Sequence, residues 1–107
     1  AVRAGENVFV SGQLAFGPEG KLVGENVAEQ TRQCLDNIKA ILAKAGCEMT
    51  DIVKCSVWLV NVEDFSAFNA EYAQYFPANP PARATVRSDL MVPGALVEID
   101  AIAYCKR

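Results

Sequence analysis

Two charged side chains stand where charge is hard to justify. Glu98 lies in the apolar run ALVEIDAIA, between Val97 and Ile99, and Arg83 follows the pair Pro80-Pro81 at the mouth of a strand-like stretch, PPARATVRSDL. A carboxylate among apolar neighbours is either a solvated acid or structural ion pair at a sheet edge, or a group that orients water and moves protons. A guanidinium is always charged and presents a planar fork suited to a carboxylate; held by a stiff loop, it loses little entropy on gripping one. The alternative for Arg83 is an ordinary surface arginine. Ser11-Gly12-Gln13 ends an alternating stretch with a small hydroxyl and a permissive glycine, and Asn69 sits in an aromatic-rich segment where it could bond helix to strand.

The residue inventory removes several chemistries. The 107 residues contain no histidine, so Ser-His and Cys-His nucleophilic schemes are excluded. Four cysteines, at 34, 47, 55 and 105, form no C-x-x-C pair, and zinc sites want closely spaced Cys or His. With half the residues hydrophobic, the chain has the makings of its own core. No disulfide framework is expected, therefore, but buried thiols in a reducing compartment. There is no glycine-rich phosphate loop or metal motif, and neither metal nor cofactor is expected.

Charge and hydropathy narrow the partners. The net charge is −3, and the ten Lys and Arg are scattered, with Lys106-Arg107 the one adjacent pair. This disfavours nucleic acid, which calls for a basic stripe. No run approaches the roughly 20 apolar residues of a membrane span, and AVRAGENVFV lacks the basic and long apolar regions of a signal peptide. A single domain over residues 1–107, soluble and cytoplasmic, is the expectation.

The elements that must position the charged pair follow from periodicity. Val8 to Ser11 reads as a strand, GPEGK as a turn, and Leu22-Val23 as a second strand. NVAEQTRQCLDNIKAILAKAG predicts an amphipathic helix with Thr31, Cys34, Leu35, Ile38, Ile41, Leu42 and Ala45 on its inner face, Asn26 as N-cap and Gly46 just past its end. DIVKCSVWLVNV is a strand whose Val53, Cys55, Val57 and Leu59 oppose Lys54, Ser56, Trp58 and Val60. A second helix carries Phe65, Phe68, Tyr72 and Tyr75 or Phe76 as a core stripe, and PANPP closes it. Arg83, Thr85 and Arg87 share one face of the next strand, and Leu96, Glu98, Asp100 and Ile102 one face of the last. The order β-β-α-β-α-β-β is an α+β architecture with both helices on one face of a mixed sheet. The other face, with Trp58 and Val60, is apolar and unpaired, which points to homo-oligomerisation.

Together these segments resemble the YjgF/RidA family of reactive-intermediate deaminases. The likeness is carried by VFVSGQ, EQTRQCLDNIKAILAKAG, DIVKCSVWLVNVEDFSAFNAEYAQYF, PPARATV and ALVEIDAIA, in unbroken order from about Gly5 to Ala103. It implies a chorismate-mutase-like fold, a homotrimer, and sites in the clefts between subunits. It implies a cofactor-free hydrolase that deaminates small imino or enamine acids, such as 2-iminobutanoate and 2-iminopropanoate, to 2-oxo acids and ammonia. By position, Arg83 would grip the substrate carboxylate and Glu98 would position water, while Ser11, Gly12, Asn69 and Thr85 would line the site. Many relatives carry Cys where this chain has Thr85. Relatives also carry a Gly-Pro-Tyr stretch before the first strand, and this sequence begins at Ala1 without it, so either the chain is cut short or the cleft is more open. Related readings are a deaminase for another enamine, such as aminoacrylate or aminomuconate, a non-catalytic protective or binding protein, and a ribonuclease or translation inhibitor.

Overall fold

The computed structural model describes residues 1–106. Its sheet has the strand order β1-β2-β5-β3-β4, formed by Val2–Ala4 (β1), Asn7–Gln13 (β2), Ile52–Leu59 (β3), Ala82–Arg87 (β4) and Val97–Tyr104 (β5). Only β3 and β4 run parallel; the other neighbours are antiparallel. Two helices, Val27–Lys44 (α1) and Phe65–Ala73 (α2), make this the expected α+β fold. No helix among the described residues is long and apolar enough to cross a membrane.

Strand alternation separates a covered face from a bare one. Val8 and Val10 of β2, Cys55, Val57 and Leu59 of β3, and Val97, Ile99, Ala101 and Ala103 of β5 are buried with Leu35, Ile38 and Leu42 of α1 and Phe68 and Tyr72 of α2. Full burial of a Leu, Ile or Phe side chain contributes roughly 1.5–3 kcal/mol, so this cluster holds the helices to the sheet. Opposite them, Phe9 is 42% exposed and Val86 50%. They lie on the bare face with Ile102, Trp58, Glu98 and Asp100.

α1 forms where its spacing predicts. Asn26 accepts the Glu29 amide at 2.9 Å, and Glu29 Oε1 accepts the Glu25 amide at 2.9 Å, closing the first turn. At the other end Gly46 takes φ +80°, Cys47 N–H reaches Leu42 O at 2.8 Å and Gly46 N–H reaches Ala43 O at 3.1 Å, a Schellman closure. Two positions expected on its inner face, Ile41 and Ala45, are only partly buried. α2 stops at Ala73; Phe76, beyond it, continues the Phe68–Tyr72 stack at 4.7 Å from Tyr72, and Tyr75 instead donates to Asp36 at 2.7 Å.

Three expectations need correction. Leu22-Val23 is not a strand: Leu22 makes an isolated bridge to Phe16. The connecting turn bonds mainly to itself, through Gly17 N–H to Lys21 O and Gly20 N–H to Gly17 O. The extra strand is Val2–Ala4, three residues folded back on β2 through Gly5 at φ +61°. Val53 does not join Cys55 on the covered face; the β3–β5 register shifts between Ile52 and Lys54, leaving Ile52 buried and Val53 50% exposed. Third, the cysteines are not all free. Cys47 and Cys105 form a disulfide, while Cys34 and Cys55 are free and buried. The pair is 58 residues apart in sequence, a separation at which spacing carries no signal of contact.

Candidate functional site

Arg83 enters from Asn79, which adopts φ +51°, and the stiff Pro80-Pro81 pair that follows. In register with Cys55, its side chain lies on the covered face against α2. The guanidinium carbon sits 4.8 Å from the ring centre of Tyr72, 5.3 Å from Phe68 and 5.9 Å from Phe65. Such ring faces attract a cation but leave its in-plane N–H fork free. Arg32–Glu71 is the one ion pair among the described residues, so Arg83 has no carboxylate of its own. It lines a hollow of about 360 Å³ with Asn69, Tyr72, Ala73, Phe76, Pro80 and Pro81.

Thr85, two residues on, shares this face in register with Val57. Its Oγ1 is buried without a hydrogen-bond partner, and it borders a smaller hollow of about 190 Å³ with Val62, Phe65 and Arg87. The Tyr72 hydroxyl is likewise unpartnered, lying beside the Cys55 thiol without a well-formed hydrogen bond. Burial, reinforced by that thiol, pushes the Tyr72 phenol up; burial also raises Cys55, against the Tyr72 hydroxyl and Arg83. Both groups therefore stay neutral in the ordinary pH range.

Glu98 lies elsewhere. Between Val97 and Ile99, both fully buried on the helix side, it projects onto the bare face opposite Trp58. Its carboxylate abuts Gly12, where any side chain would collide with Glu98 Oε2. Gly12 and Ser11 sit in a bulge, because the β2–β5 register shifts between Val10 and Gln13; bulges of this kind re-aim a strand beside a site. The two acids of β5 are now distinguished. Asp100 accepts the Ser56 amide at 2.9 Å and is occupied structurally, whereas Glu98 has no ion partner among the described residues.

The structure thus collects Arg83, Asn69 and Thr85 at one side of the sheet and Ser11, Gly12 and Glu98 at the other. A larger hollow, about 580 Å³, is at neither; it runs between α1 and α2, where Arg32 is already held by Glu71. Its paired charge, and a lining that includes none of the residues of either cluster, make it the weaker candidate. Periodicity alone missed Gln30, which is 2% exposed and bonds the Leu96 amide at 2.8 Å and Gly94 O at 3.0 Å, fixing the loop that leads to Glu98. A polar residue between Val27 and Thr31 on the buried stripe is the signal that could have found it.

Comparison with known proteins decides the family. The family model described as Endoribonuclease L-PSP matches residues 1–105. The crystal structure of the YjgF gene product of E. coli superposes with a TM-score of 0.90 at 38% identity, covering 98% of this chain and 85% of that one. The chain belongs to the YjgF/RidA family. Among YjgF/RidA relatives, the 2-iminobutanoate/2-iminopropanoate deaminase of Bos taurus is 44% identical over 104 residues, 96% of this chain and 76% of its own. A RutC family protein of Pyrococcus horikoshii is 42% identical over 105 residues, 97% and 83% respectively.

Proposed function

We propose that this YjgF/RidA chain hydrolyses small 2-imino acids, 2-iminobutanoate and 2-iminopropanoate, to 2-oxo acids and ammonia, at sites completed between subunits of a homotrimer. The observation that carries the reading is Arg83: a guanidinium with no carboxylate partner among the described residues, held by three aromatic rings at the wall of a hollow sized for a small anion. Its fork donates to the substrate carboxylate, with Asn69 lining the same hollow and Thr85 the smaller one beside it. Glu98 faces away from Arg83 through its own sheet, so the water-positioning carboxylate that Arg83 needs comes from a neighbouring subunit. The bare apolar sheet face supports that assembly.

The chemistry asks little of the protein. An imine carbon is electrophilic, more so when protonated. Glu98 takes a proton from water as the oxygen attacks C2 and returns it to the nitrogen, giving the carbinolamine. The hydroxyl proton then passes through the same carboxylate to the amine as the C–N bond breaks, releasing ammonia and leaving the C2 carbonyl. Fixing the carboxylate and aiming the water supply proximity and general-base help. Cleavage of RNA, the activity named in the family description, fits less well, because no histidine is present and the cations are scattered.

The test is ammonia release from imines generated in situ by a dehydratase acting on threonine or serine. The expected result is faster release with the wild-type chain than without it. In Arg83→Lys, which keeps the charge and loses the fork, kcat/KM should fall at least ~10-fold, about 1.4 kcal/mol. No acceleration by the wild-type chain would overturn the proposal.

A further inference from the structure

Far from Arg83, three segments distant in sequence meet at a pair of sulfurs. Cys47 is placed by the Schellman closure of α1, Cys105 follows β5, and the two are bonded with their Cα atoms 6.0 Å apart. Arg3 of β1 lies over both. Its Nη2 donates to Ala45 O at 2.8 Å and stands 3.7 Å from each sulfur, its Nη1 donates to Cys105 O at 3.1 Å, and its Nε is buried without a partner. This half-buried guanidinium has no carboxylate among the described residues.

We propose that Cys47 and Cys105 are a reversible thiol–disulfide site for low-molecular-weight thiols and disulfides, with Arg3 as the residue that stabilises its reduced form. A disulfide offers the cation nothing but weak sulfur acceptors. Reduction puts a thiolate in the same place and supplies the missing anion, so Arg3 favours the dithiol and makes the bond easier to reduce than an ordinary structural one.

Cys47 and Cys105 are both buried, 4% and 7% exposed, so the neighbouring hollow rather than surface exposure sets the direction of attack. Cys47 borders the hollow of about 580 Å³ beside Lys39, Ala43, Glu48, Met49 and Thr50, and Cys105 does not. An incoming thiolate forms a bond to Cys47 Sγ; the S–S bond breaks, and its electron pair leaves on Cys105 Sγ, facing Arg3. A second thiol attacks the external sulfur of the mixed disulfide and frees Cys47. Two external thiols have become one disulfide, and the protein disulfide two thiols; an external disulfide drives the reverse. Cys34 and Cys55 stay out of this exchange, since burial holds the Cys34 thiol up at about 12 and raises that of Cys55. A metal is the competing occupant, because Cys47, Asp51 and Cys105 offer ligand atoms within 4.8 Å of one another. The guanidinium against both sulfurs repels a dication and occupies their lone pairs.

The test equilibrates the full chain in graded mixtures of reduced and oxidised glutathione, followed by acid quenching, denaturing alkylation and mass spectrometry. A single transition is expected in which Cys47 and Cys105 lose their thiols together while Cys34 and Cys55 remain alkylatable. Arg3→Gln should form the bond at roughly tenfold less oxidised glutathione, because the thiolate loses its cation, and Arg3→Lys should stay close to wild type. In the reduced wild-type chain, the pH dependence of alkylation should place the faster thiol below the ordinary value of about 8.5, a reading that needs no variant. Four alkylatable thiols at every glutathione ratio would overturn the proposal. So would stoichiometric zinc retention that protects the same two cysteines, or an ordinary alkylation midpoint with an unshifted Arg3→Gln.

Discussion

At the residue scale the site turns on small groups beside charged ones. The Thr85 hydroxyl is buried and unpartnered beside Arg83 on the same strand face. If the position serves through its backbone, Thr85→Val should keep kcat/KM within ~10-fold, under about 1.4 kcal/mol, and leave the melting temperature equal or higher, because an unsatisfied hydroxyl is removed. A hundredfold loss with the assembly intact would show that the hydroxyl donates to the substrate or the water. Gly12 makes the complementary case. A methyl there meets the flexible tip of Glu98 rather than backbone, so Gly12→Ala should cost little stability while displacing the carboxylate. A displacement on the order of 1 Å can cost ~100-fold in rate, and a fall of that order in kcat with an unchanged melting temperature is expected. Unaltered kinetics would remove Glu98 from the water-positioning role.

At the scale of elements, the loop between β4 and β5 is held by a side chain from α1. Gln30 donates to Gly94 O and Gly24 O and accepts the Leu96 amide from within the core. Gln30→Leu is close in volume but leaves the part-buried Leu96 amide and two carbonyls unpaired, which should cost about 2–4 kcal/mol. Urea denaturation reads that loss directly, and a change under about 0.5 kcal/mol would mean that the loop re-forms its bonds without the clamp. The bulge at Ser11-Gly12 acts at the same scale, since one extra residue in β2 brings the glycine against Glu98.

Across the whole molecule, both helices cover one side of the sheet and leave Phe9, Trp58, Val86 and Ile102 on the other. In the assembly proposed above, this face is buried between subunits and Glu98 of one subunit serves Arg83 of another. Phe9→Glu places a charge on the bare face without touching the core. Sedimentation equilibrium should therefore show dissociation to monomer with far-UV circular dichroism preserved, and deaminase activity should fall with it. A fully active monomer would show that a single chain completes its own site.

Local pattern was enough where one face meets one environment. α1 is written in its spacing because Cys34, Leu35, Ile38 and Leu42 share a single buried stripe between Asn26 and Gly46. Leu22-Val23 misled because a strand needs a continuous neighbour to bond with, and that segment finds only an isolated bridge to Phe16 and a bond from the Val23 amide to Ala15 O. Val2–Ala4 was too short and too exposed to carry a period. Arg83 and Glu98 could both be singled out from composition and resemblance, and strand alternation fixed which neighbours share their faces. It could not relate the face of β4 to that of β5, because side-chain alternation is local and register between distant strands is not. Only the folded sheet, through the pairing of Arg83 with Cys55 and of Glu98 with Trp58, puts the two on opposite sides. The meeting of Arg3, Cys47 and Cys105 is of the same kind, a contact among the start, middle and end of the chain that no spacing encodes.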